Sequence, residues 1–464
     1  MDSYRSARPA AADTLGLPAE EMRRLGHRVV DLIVDRLVAR GSDPAIRTGT
    51  PAELRMALGG PLPELPGDAE RALDTLAGVA LAHQQYGDHP RYFARVPGPS
   101  SFAAILGDWL GTGFNTIATS WVGGSGPATV ELVVLDWLRA FLRLPPGGDG
   151  ILTSGGSVAN LTALAAARDT ADPGGRGTVL LSDQVHASIP RALRLLGYEH
   201  PQIRVLPTDD HFRLPAATVR AAFATTPDAR IVIATAGTTN TGAVDPLDEL
   251  ADACRDGGRW FHVDGSYGAV VAALDSHAPL LRGLDRADSV AMDPHKWLFQ
   301  PYDVGCTFVR RPGALLRTFA MAPEYLKDTA TASGETGFGN LGPELTRRSR
   351  ALKLWMTFRT HGAEALRGVI RKGIALAEEA ERLLQARNNA FEVVTPASLA
   401  IVTFALRGAD AARHEDAART LARSGFATLS TTMLDGRSVL RLCTLNPLTT
   451  TADIEGTLDR LAAG

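Results

Sequence analysis

Trp260-Phe261-His262-Val263-Asp264 and Asp293-Pro294-His295-Lys296-Trp297 are the two stretches that decide how this 464-residue chain is interpreted. The first is an apolar run that ends in an acid, and the second sets a lysine beside aromatic and apolar residues. A carboxylate at the end of a buried strand is costly unless it has a partner. The segment after Lys296 is typical of a buried or pocket-lining position, although a surface lysine and a turn-capping aspartate are the simpler alternatives.

Both stretches belong to a longer pattern, in which short apolar runs alternate with helical periodicity from about residue 128 onward. This alternation predicts an α/β fold with a mostly parallel sheet that is covered on both faces. We expect strands at residues 151–153, 179–181, 203–206, 230–235, 260–264, 289–292 and 306–309. Ligands of such sheets bind beyond the carboxyl ends of the strands, so the polar motifs that follow these strands form the candidate site.

The chain divides into three predicted parts. Residues 1–88 form a helical N-terminal dimerisation segment, with helices at 19–40 and 68–85 whose apolar faces suit packing on a neighbouring subunit. Residues 89–360 form the large domain, which includes helices at 128–144 and 347–360. Residues 361–464 form a small α+β domain, with a helix at 363–388 and strands at 400–405 and 438–444.

Composition excludes several classes of function. Lys+Arg 48 against Asp+Glu 51 gives a net charge of −3, which offers no electrostatic case for nucleic acid or an anionic membrane as a partner. No apolar run is long enough to span a bilayer, and the N-terminus has no secretory pattern. The three cysteines are far apart and odd in number, which favours a reduced cytoplasmic setting without a disulfide framework or a metal-binding pair.

Asp264 and Lys296 together are the pair that a pyridoxal 5′-phosphate (PLP) enzyme needs. The lysine amine forms a Schiff base with the cofactor aldehyde, and the carboxylate keeps the pyridine nitrogen protonated so that the ring accepts electrons. The loop Thr153–Ser157 adds glycines between a strand and a helix, where backbone N–H groups can hold a phosphate. An ordinary turn with Ser157 as N-cap is the alternative, and the missing GK[ST] ending disfavours ATP.

Two further motifs follow predicted strands. His186, in Ser182-Asp183-Gln184-Val185-His186, can stack on a flat cofactor ring from the end of its strand. Gly237-Thr238-Thr239 offers hydroxyl groups at the same edge. A lone histidine is more often structural, and turn chemistry alone explains the threonines. Both motifs therefore support a cofactor site only because each follows a predicted strand.

In this order the motifs resemble those of the PLP-dependent group II amino-acid decarboxylases, the family of aromatic-L-amino-acid decarboxylase. The resemblance covers nearly the whole chain, and it includes His89-Pro90-Arg91-Tyr92-Phe93, the helix that starts at Ser125-Gly126-Pro127, and Arg347-Arg348 with Ala351-Leu352-Lys353-Leu354-Trp355. It implies an aspartate-aminotransferase-like fold and an obligate homodimer, with the N-terminal segment wrapped around the partner. The implied reaction is the decarboxylation of an L-amino acid, aromatic or related, to the amine and CO₂.

The resemblance also implies a role for each motif residue. Lys296 would hold PLP and Asp264 would pair with the pyridine nitrogen, while His186 and Ser266 would face the ring from opposite sides. The remaining cofactor contacts would come from Gly155, Gly156 and Ser157 at the phosphate, His295 beside the phosphate and Lys296, and Thr239 near Asp264 and His186.

The chain departs from the family pattern in the loop after Tyr325-Leu326-Lys327. In the family a tyrosine on this loop donates the proton that completes the amine, but residues 328–346 contain no tyrosine. Phe338 or Leu341 takes its place, depending on the alignment. Family members with phenylalanine there are aldehyde synthases, because without the acid the carbanionic intermediate lives long enough to react with O₂. Protonation by His186 or water would keep a plain decarboxylase. The composition of residues 328–342 suits a mobile lid.

A second departure concerns the substrate. Residues 92–98, which include Tyr92, align with the wall that holds an aromatic side chain, and here Arg95 and Val96 replace residues that are usually aromatic or large and apolar. If Arg95 points into the pocket, it favours a substrate with a distal anionic group, since a guanidinium pairs well with carboxylate or phosphate. If it points to solvent, it carries no information about the substrate.

Three other classes share parts of this pattern. An aminotransferase uses the same lysine and acid, although the Asp-Pro-His-Lys-Trp stretch favours the decarboxylases. An S-lyase or desulfurase usually has a reactive cysteine near the site, and Cys306 is the only candidate close in sequence. A binding protein on a degraded PLP scaffold is disfavoured, because both Lys296 and Asp264 are present.

Overall fold

The computed structural model describes residues 15–321 and 334–463. Its helices, numbered in chain order, are α1 Ala19–Val38, α2 Pro51–Leu58, α3 Ala69–Thr75, α4 Phe102–Gly113, α5 Trp121–Phe141, α6 Gly156–Ala171, α7 Ser188–Leu195, α8 Ala216–Thr225, α9 Leu247–Asp256, α10 Pro294–Trp297, α11 Ala314–Phe319, α12 Ala351–Ala386, α13 Ala411–Arg423 and α14 Thr451–Ala463. Its strands are β1 Asp149–Thr153, β2 Thr178–Ser182, β3 Ile203–Leu206, β4 Ala229–Thr235, β5 Trp260–Asp264, β6 Ser289–Met292, β7 Gly305–Val309, β8 Phe391–Ser398, β9 Ile401–Leu406, β10 Ser430–Leu434 and β11 Arg437–Cys443.

The large sheet has seven strands in the order β1-β7-β6-β5-β4-β2-β3. All seven predicted strands occur in it, and only β7 runs antiparallel to its neighbours. Every residue of β2, β5, β6 and β7 is buried, so both faces of the sheet are covered, as the continuous apolar runs predict. Helix α6 packs against β1, β4, β5, β6 and β7, and it carries the glycine loop at its N-terminus.

The small sheet is antiparallel, with the order β10-β11-β9-β8. The sequence predicted β9 and β11 but not β8 and β10. Threonine, proline and serine interrupt the apolar alternation of β8 and β10, and several of their residues stay partly exposed, so the local pattern was too weak. The predicted helices 347–360 and 363–388 form one element, α12, with a kink at Gly362, where φ is +74°.

The largest differences in helix boundaries occur at α5 and α3. Helix α5 begins at Trp121 rather than at residue 128, because the Ser120 side chain accepts the Gly123 N–H and caps it. Non-helical backbone at Gly124 breaks the helix just before Pro127, so the proline begins a new turn there. The helix predicted at 68–85 is shorter, since α3 ends at Thr75 and a π-helical turn, Leu76–Ala80, follows.

The N-terminal helices lie on the outside of the monomer. Helices α1, α2 and α3 contain no buried residue. Their exposed large apolar side chains include Met22, Val30, Val34, Val38 and Met56. An amphipathic helix normally buries its apolar stripe, so this face is suited to packing on another surface. Over the described ranges, no helix combines the length and apolarity that crossing a membrane requires.

Candidate active site

The predicted motifs meet at one edge of the large sheet. Strands β1, β2, β4, β5 and β6 run in the same direction, and their carboxyl ends lead into the glycine loop, the His186 loop, the Thr239 turn, Asp264 and the Lys296 segment. This is the edge at which α/β sheets bind ligands.

Asp264 is the last residue of β5, and its side chain is 4% exposed. Its Oδ1 accepts the Ser266 N–H at 3.1 Å, and its Oδ2 accepts the side-chain amide of Asn160 at 3.1 Å. Burial by itself raises the pKa of Asp264, but the hydrogen bonds from Ser266 and the charge of Lys296 outweigh it and hold the pKa below its ordinary value. Asp264 is therefore a buried carboxylate that stays ionised.

Lys296 lies on the short helix α10, with its Nζ 3.1 Å from Asp293 Oδ2. The segment behind it is buried as expected, since Trp297 and Leu298 are fully inaccessible and Trp297 stacks on Tyr267 at 5.1 Å between centroids. This packing fixes the backbone from which the amine projects. Asp293 faces into the site as the ion-pair partner of Lys296.

The glycine loop forms a cradle against the Lys296 segment. Gly155 has a φ of +136°, and a Cβ there would come within 3.2 Å of His295 Cε1. At Gly156 a Cβ would lie 2.5 Å from Asp293 Oδ2 and 2.6 Å from Ser266 Oγ, so only glycine allows this approach. Exposed Ser157 follows in the first turn of α6. N–H groups at a helix N-terminus beside glycines suit a phosphate.

The two histidines at this edge are neutral donors. Burial lowers the pKa of His186 and of His295 below the ordinary value. His186 Nδ1 accepts the Ser188 N–H at 3.2 Å, and His295 Nδ1 accepts the Val304 N–H at 3.4 Å. Each ring therefore carries its proton on Nε2. Half-buried Thr239 lies in the turn after β4, at the same edge.

Tyr92, Arg95 and Val96 line a cavity of about 390 Å³ together with Tyr302. The cavity borders the Lys296 segment, because a Cβ on Gly98, which also lines it, would come within 1.9 Å of the His295 carbonyl oxygen. Arg95 has left-handed backbone, with a φ of +55°.

Two hydrogen bonds hold this strained residue in place. The Ser430 hydroxyl accepts the Arg95 N–H at 2.9 Å, and the Arg441 guanidinium donates to the Arg95 carbonyl at 2.6 Å. These bonds fix the Arg95 backbone beside the cavity and leave the residue exposed, and the entry of its guanidinium into the pocket stays a prediction.

Phe338 and Leu341 occupy a different environment from the one expected of a lid. Phe338 is 1% exposed and lies under the Arg347 guanidinium, 5.1 Å from the ring centroid. Arg347 in turn pairs with Glu131 at 2.7 Å, and Leu341 packs against the main core. In this conformation Phe338 is a core residue, and neither side chain is among those lining the cavity beside Lys296. Tyr325, Leu326 and Lys327 lie outside the described residues.

Asn160 is the site residue that sequence reasoning missed. It is fully buried on α6, and its Nδ2 donates to Asp264 Oδ2 at 3.1 Å and to Ser188 Oγ at 3.2 Å. The available signal was an amide among the alanines and leucines of the buried face of α6, one turn after Gly156. Cys306, in contrast, lies inside β7, and burial raises its thiol pKa well above the ordinary value, so it is not a reactive cysteine.

Comparison with known proteins connects this arrangement to a family. Residues 60–407 match the pyridoxal-dependent decarboxylase conserved domain. Aromatic-L-amino-acid decarboxylase of Bacillus atrophaeus is 42% identical over 457 residues, which cover 96% of this chain and 95% of that protein.

Solved structures show the same architecture. The structure of Oryza sativa TDC with PLP and tryptamine superposes with a TM-score of 0.91 at 30% identity, covering 98% of both chains. That of Rhodiola rosea 4-hydroxyphenylacetaldehyde synthase gives a TM-score of 0.88 at 28% identity, covering 96% of this chain and 98% of that one. These matches confirm the expected aspartate-aminotransferase-like fold and PLP as the cofactor.

Proposed function

The chain belongs to the pyridoxal-dependent decarboxylase family, and we propose that the pocket at the carboxyl edge of its large sheet converts an aromatic or related L-amino acid to the amine and CO₂. Decarboxylation of an amino acid follows from the family, and the preference for an aromatic side chain is supported by the relative from Bacillus atrophaeus.

The side chains around Asp264 and Lys296 fit PLP. When bound, PLP supplies an aldehyde that takes an amine and a ring that withdraws electrons from the substrate. Lys296 would hold the aldehyde carbon, and Asp264 would face the pyridine nitrogen. Gly155 and Gly156, with Ser157 and the α6 N-terminus, would hold the phosphate beside His295.

The remaining residues of the chain position the substrate and control protons. Ionised Asp264 would keep a proton on the pyridine nitrogen, because a buried carboxylate stabilises a cation beside it. His186, neutral with its proton on Nε2, would cover one side of the cofactor, with Ser266 on the other and Thr239 nearby. Tyr92, Arg95 and Val96 would bind the substrate side chain and orient the bond to its carboxylate.

The single observation that carries this proposal is Asp264. Asp264 is almost fully buried, yet hydrogen bonds from Ser266 and the charge of Lys296 keep its pKa low, and a buried carboxylate is expensive unless it serves a cation. It ends the strand next to β6, which leads directly into Lys296.

The experiment that tests the proposal is an incubation of the PLP-loaded protein with a panel of L-amino acids, with CO₂ release and product identity as readouts. We expect CO₂ and an amine from aromatic substrates, and no CO₂ from the Lys296→Ala variant. Keto-acid formation without CO₂ would instead show an aminotransferase.

A second candidate is an aldehyde synthase, which releases aldehyde, ammonia and peroxide with O₂. The observation that favours it is the absence of tyrosine from residues 328–346 together with the likeness to Rhodiola rosea 4-hydroxyphenylacetaldehyde synthase. Burial of Phe338 beside Arg347 favours the plain decarboxylase, because Phe338 then has a structural role. O₂ uptake matching CO₂ release would identify the synthase. CO₂ without O₂ uptake would identify the decarboxylase, with His186 Nε2 or water as the proton source.

We also propose a homodimer in which a second copy covers the exposed apolar face of α1, α2 and α3. Residues 1–88 would form this dimerisation segment, residues 89–360 the PLP-binding domain and residues 361–464 the small domain. A cytoplasmic location is supported by the cysteines, since Cys254, Cys306 and Cys443 are all free and buried. Light scattering of the purified protein at low and high concentration tests the dimer.

A further inference from the structure

A chain of buried hydrogen bonds crosses the sheet beneath the candidate site. Trp260 Nε1 donates to Ser289 Oγ at 2.9 Å, and Ser289 Oγ lies 2.9 Å from His262 Nδ1. His262 Nε2 lies 3.0 Å from Asn160 Oδ1, and the Asn160 amide donates to Asp264. None of the five side chains is more than 4% exposed, so water does not compete for these bonds.

The direction of every bond in the chain can be assigned from its two ends. At one end the Trp260 indole can only donate, so Ser289 Oγ accepts from it. At the other end Asp264 is an anion, so Asn160 turns its NH₂ toward it and its carbonyl toward His262. The Asn160 carbonyl therefore requires the His262 proton on Nε2, and Nδ1 of the neutral ring then accepts the Ser289 hydroxyl proton. Burial lowers the pKa of His262 to about 4, so the ring is neutral and has only that one proton to give.

Asn160 also carries a second branch, toward His186. Its other amide proton goes to Ser188 Oγ at 3.2 Å. His186 Nδ1 carries no proton, because it accepts the Ser188 N–H, so the Ser188 hydroxyl 2.8 Å away also donates to it. The His186 ring therefore has its Nε2–H free to face the site. One amide thus links the acid at the end of β5 to the histidine in the loop after β2.

We infer that Asn160 is a positioning residue that fixes Asp264 as an acceptor and His186 as a donor, with its own orientation locked from a distance by Trp260, Ser289 and His262. Only the identity of the group that Asp264 and His186 contact rests on the proposed function. The proton arrangement itself is a property of the protein without cofactor.

Three variants separate positioning from simple packing. Asn160→Asp keeps the shape but replaces the donor to Asp264 with an oxygen. Ser289→Ala removes the hydroxyl proton that is donated to His262 Nδ1. His262 is separated from Asp264 by two hydrogen bonds, one on each side of Asn160. Asn446→Asp is the matched control, because Asn446 is also buried and also uses both ends of its amide, donating to the His89 carbonyl and accepting the Leu448 N–H.

The first readout is ¹⁵N NMR of labelled histidine side chains in the protein without PLP. We expect His186 and His262 to be neutral with the proton on Nε2, and we expect this signature to change at His262 in Ser289→Ala and at both histidines in Asn160→Asp. Asn446→Asp should leave both unchanged. A wild-type protein with the proton on Nδ1 of either ring would overturn the inference.

The second readout is the PLP dissociation constant, followed by the visible absorbance of the bound cofactor. In Asn160→Asp, loss of a hydrogen bond to a charged group should raise the PLP dissociation constant about tenfold or more and shift the absorbance maximum. In Asn446→Asp, the dissociation constant should stay within about twofold of the wild-type value. An Asn160→Asp protein that is folded, binds PLP like the wild type and keeps both histidine signatures would contradict the inference. If Asn160→Asp does not fold, the NMR spectra of Ser289→Ala and of the wild type test the proposed proton arrangement. If the wild type binds no PLP, the proposed function fails, and the NMR readout still judges the proton arrangement.

Discussion

The floor of the site and its substrate wall are built in opposite ways. The floor, Asp264 with Asn160 and His262, is buried, and its polar groups are linked in one hydrogen-bonded network. The wall, residues 92–98, borders an open cavity, and it holds Arg95 exposed on left-handed backbone. Under the proposed function, the floor would set the chemistry common to many substrates, while the wall would select which substrate enters. Changes in the floor should therefore abolish turnover, and changes in the wall should redirect it.

The largest expected effect is on the floor. Asp264→Asn keeps the shape of the side chain but removes its charge, so CO₂ release should fall about a thousandfold, on the scale of losing a preorganised electrostatic group. PLP should remain partly bound, since the glycine loop and Lys296 are unchanged. Asp209→Asn, in an exposed pair with Arg213, is the control. Turnover near the wild-type value in Asp264→Asn would remove Asp264 from the mechanism.

The next largest effect is expected on stability, from the buried ion pair between Glu131 and Arg347. Glu131 is fully buried, accepts the Leu152 N–H in β1 and pairs with buried Arg347. Glu131→Ala leaves that guanidinium without its counter-ion and should destabilise the protein by about 3–5 kcal/mol. Thermal unfolding measures the loss. Glu364→Ala removes an exposed glutamate that pairs with Arg371 and should leave the unfolding temperature unchanged. Equal effects of the two variants would refute the buried pair as support.

The wall should give a smaller, substrate-dependent effect. Arg95→Leu should lower kcat/KM about tenfold for L-amino acids whose side chain ends in a carboxylate or another acceptor, because a charge-assisted hydrogen bond is lost. For L-phenylalanine, which has no such group, kcat/KM should stay the same, and Arg95→Lys should retain part of the preference. A uniform loss with every substrate would mean that Arg95 has a structural role only.

At neutral pH the smallest effect is that of His262 titration, which appears only in the pH dependence of stability. The pKa of His262 falls from 6.5 when unfolded to about 4 when folded, so the unfolded state binds the extra proton in this window and stability decreases as pH falls from 6.5 to 4. His262→Gln should remove a slope of about 1.4 kcal/mol per pH unit between these values. Urea unfolding at several pH values measures it. His211→Gln, in an exposed turn, should leave the slope as it is, and a slope unchanged in His262→Gln would contradict the assignment.

Much of the fold followed from local pattern. All seven strands of the large sheet contain a short apolar run, and the motifs that follow the parallel strands lie at the same edge because parallel strands end together. Only β9 and β11 of the small sheet were predicted. Strands β8 and β10 were missed because they are partly exposed and their apolar and polar residues alternate only weakly. The start of α5 was missed because a cap at Ser120 and a break at Gly124 outweigh apolar periodicity.

The sequence by itself determined the strands of the large sheet and the order of the motifs that follow them, because both depend on residues close together along the chain. The tertiary structure alone decided that Asn160 contacts Asp264, 104 residues away, that Phe338 packs beneath Arg347, and that Arg95 lines the cavity. Hydrogen bonds between distant segments depend on how strands and helices pack in three dimensions, and no local period encodes that packing.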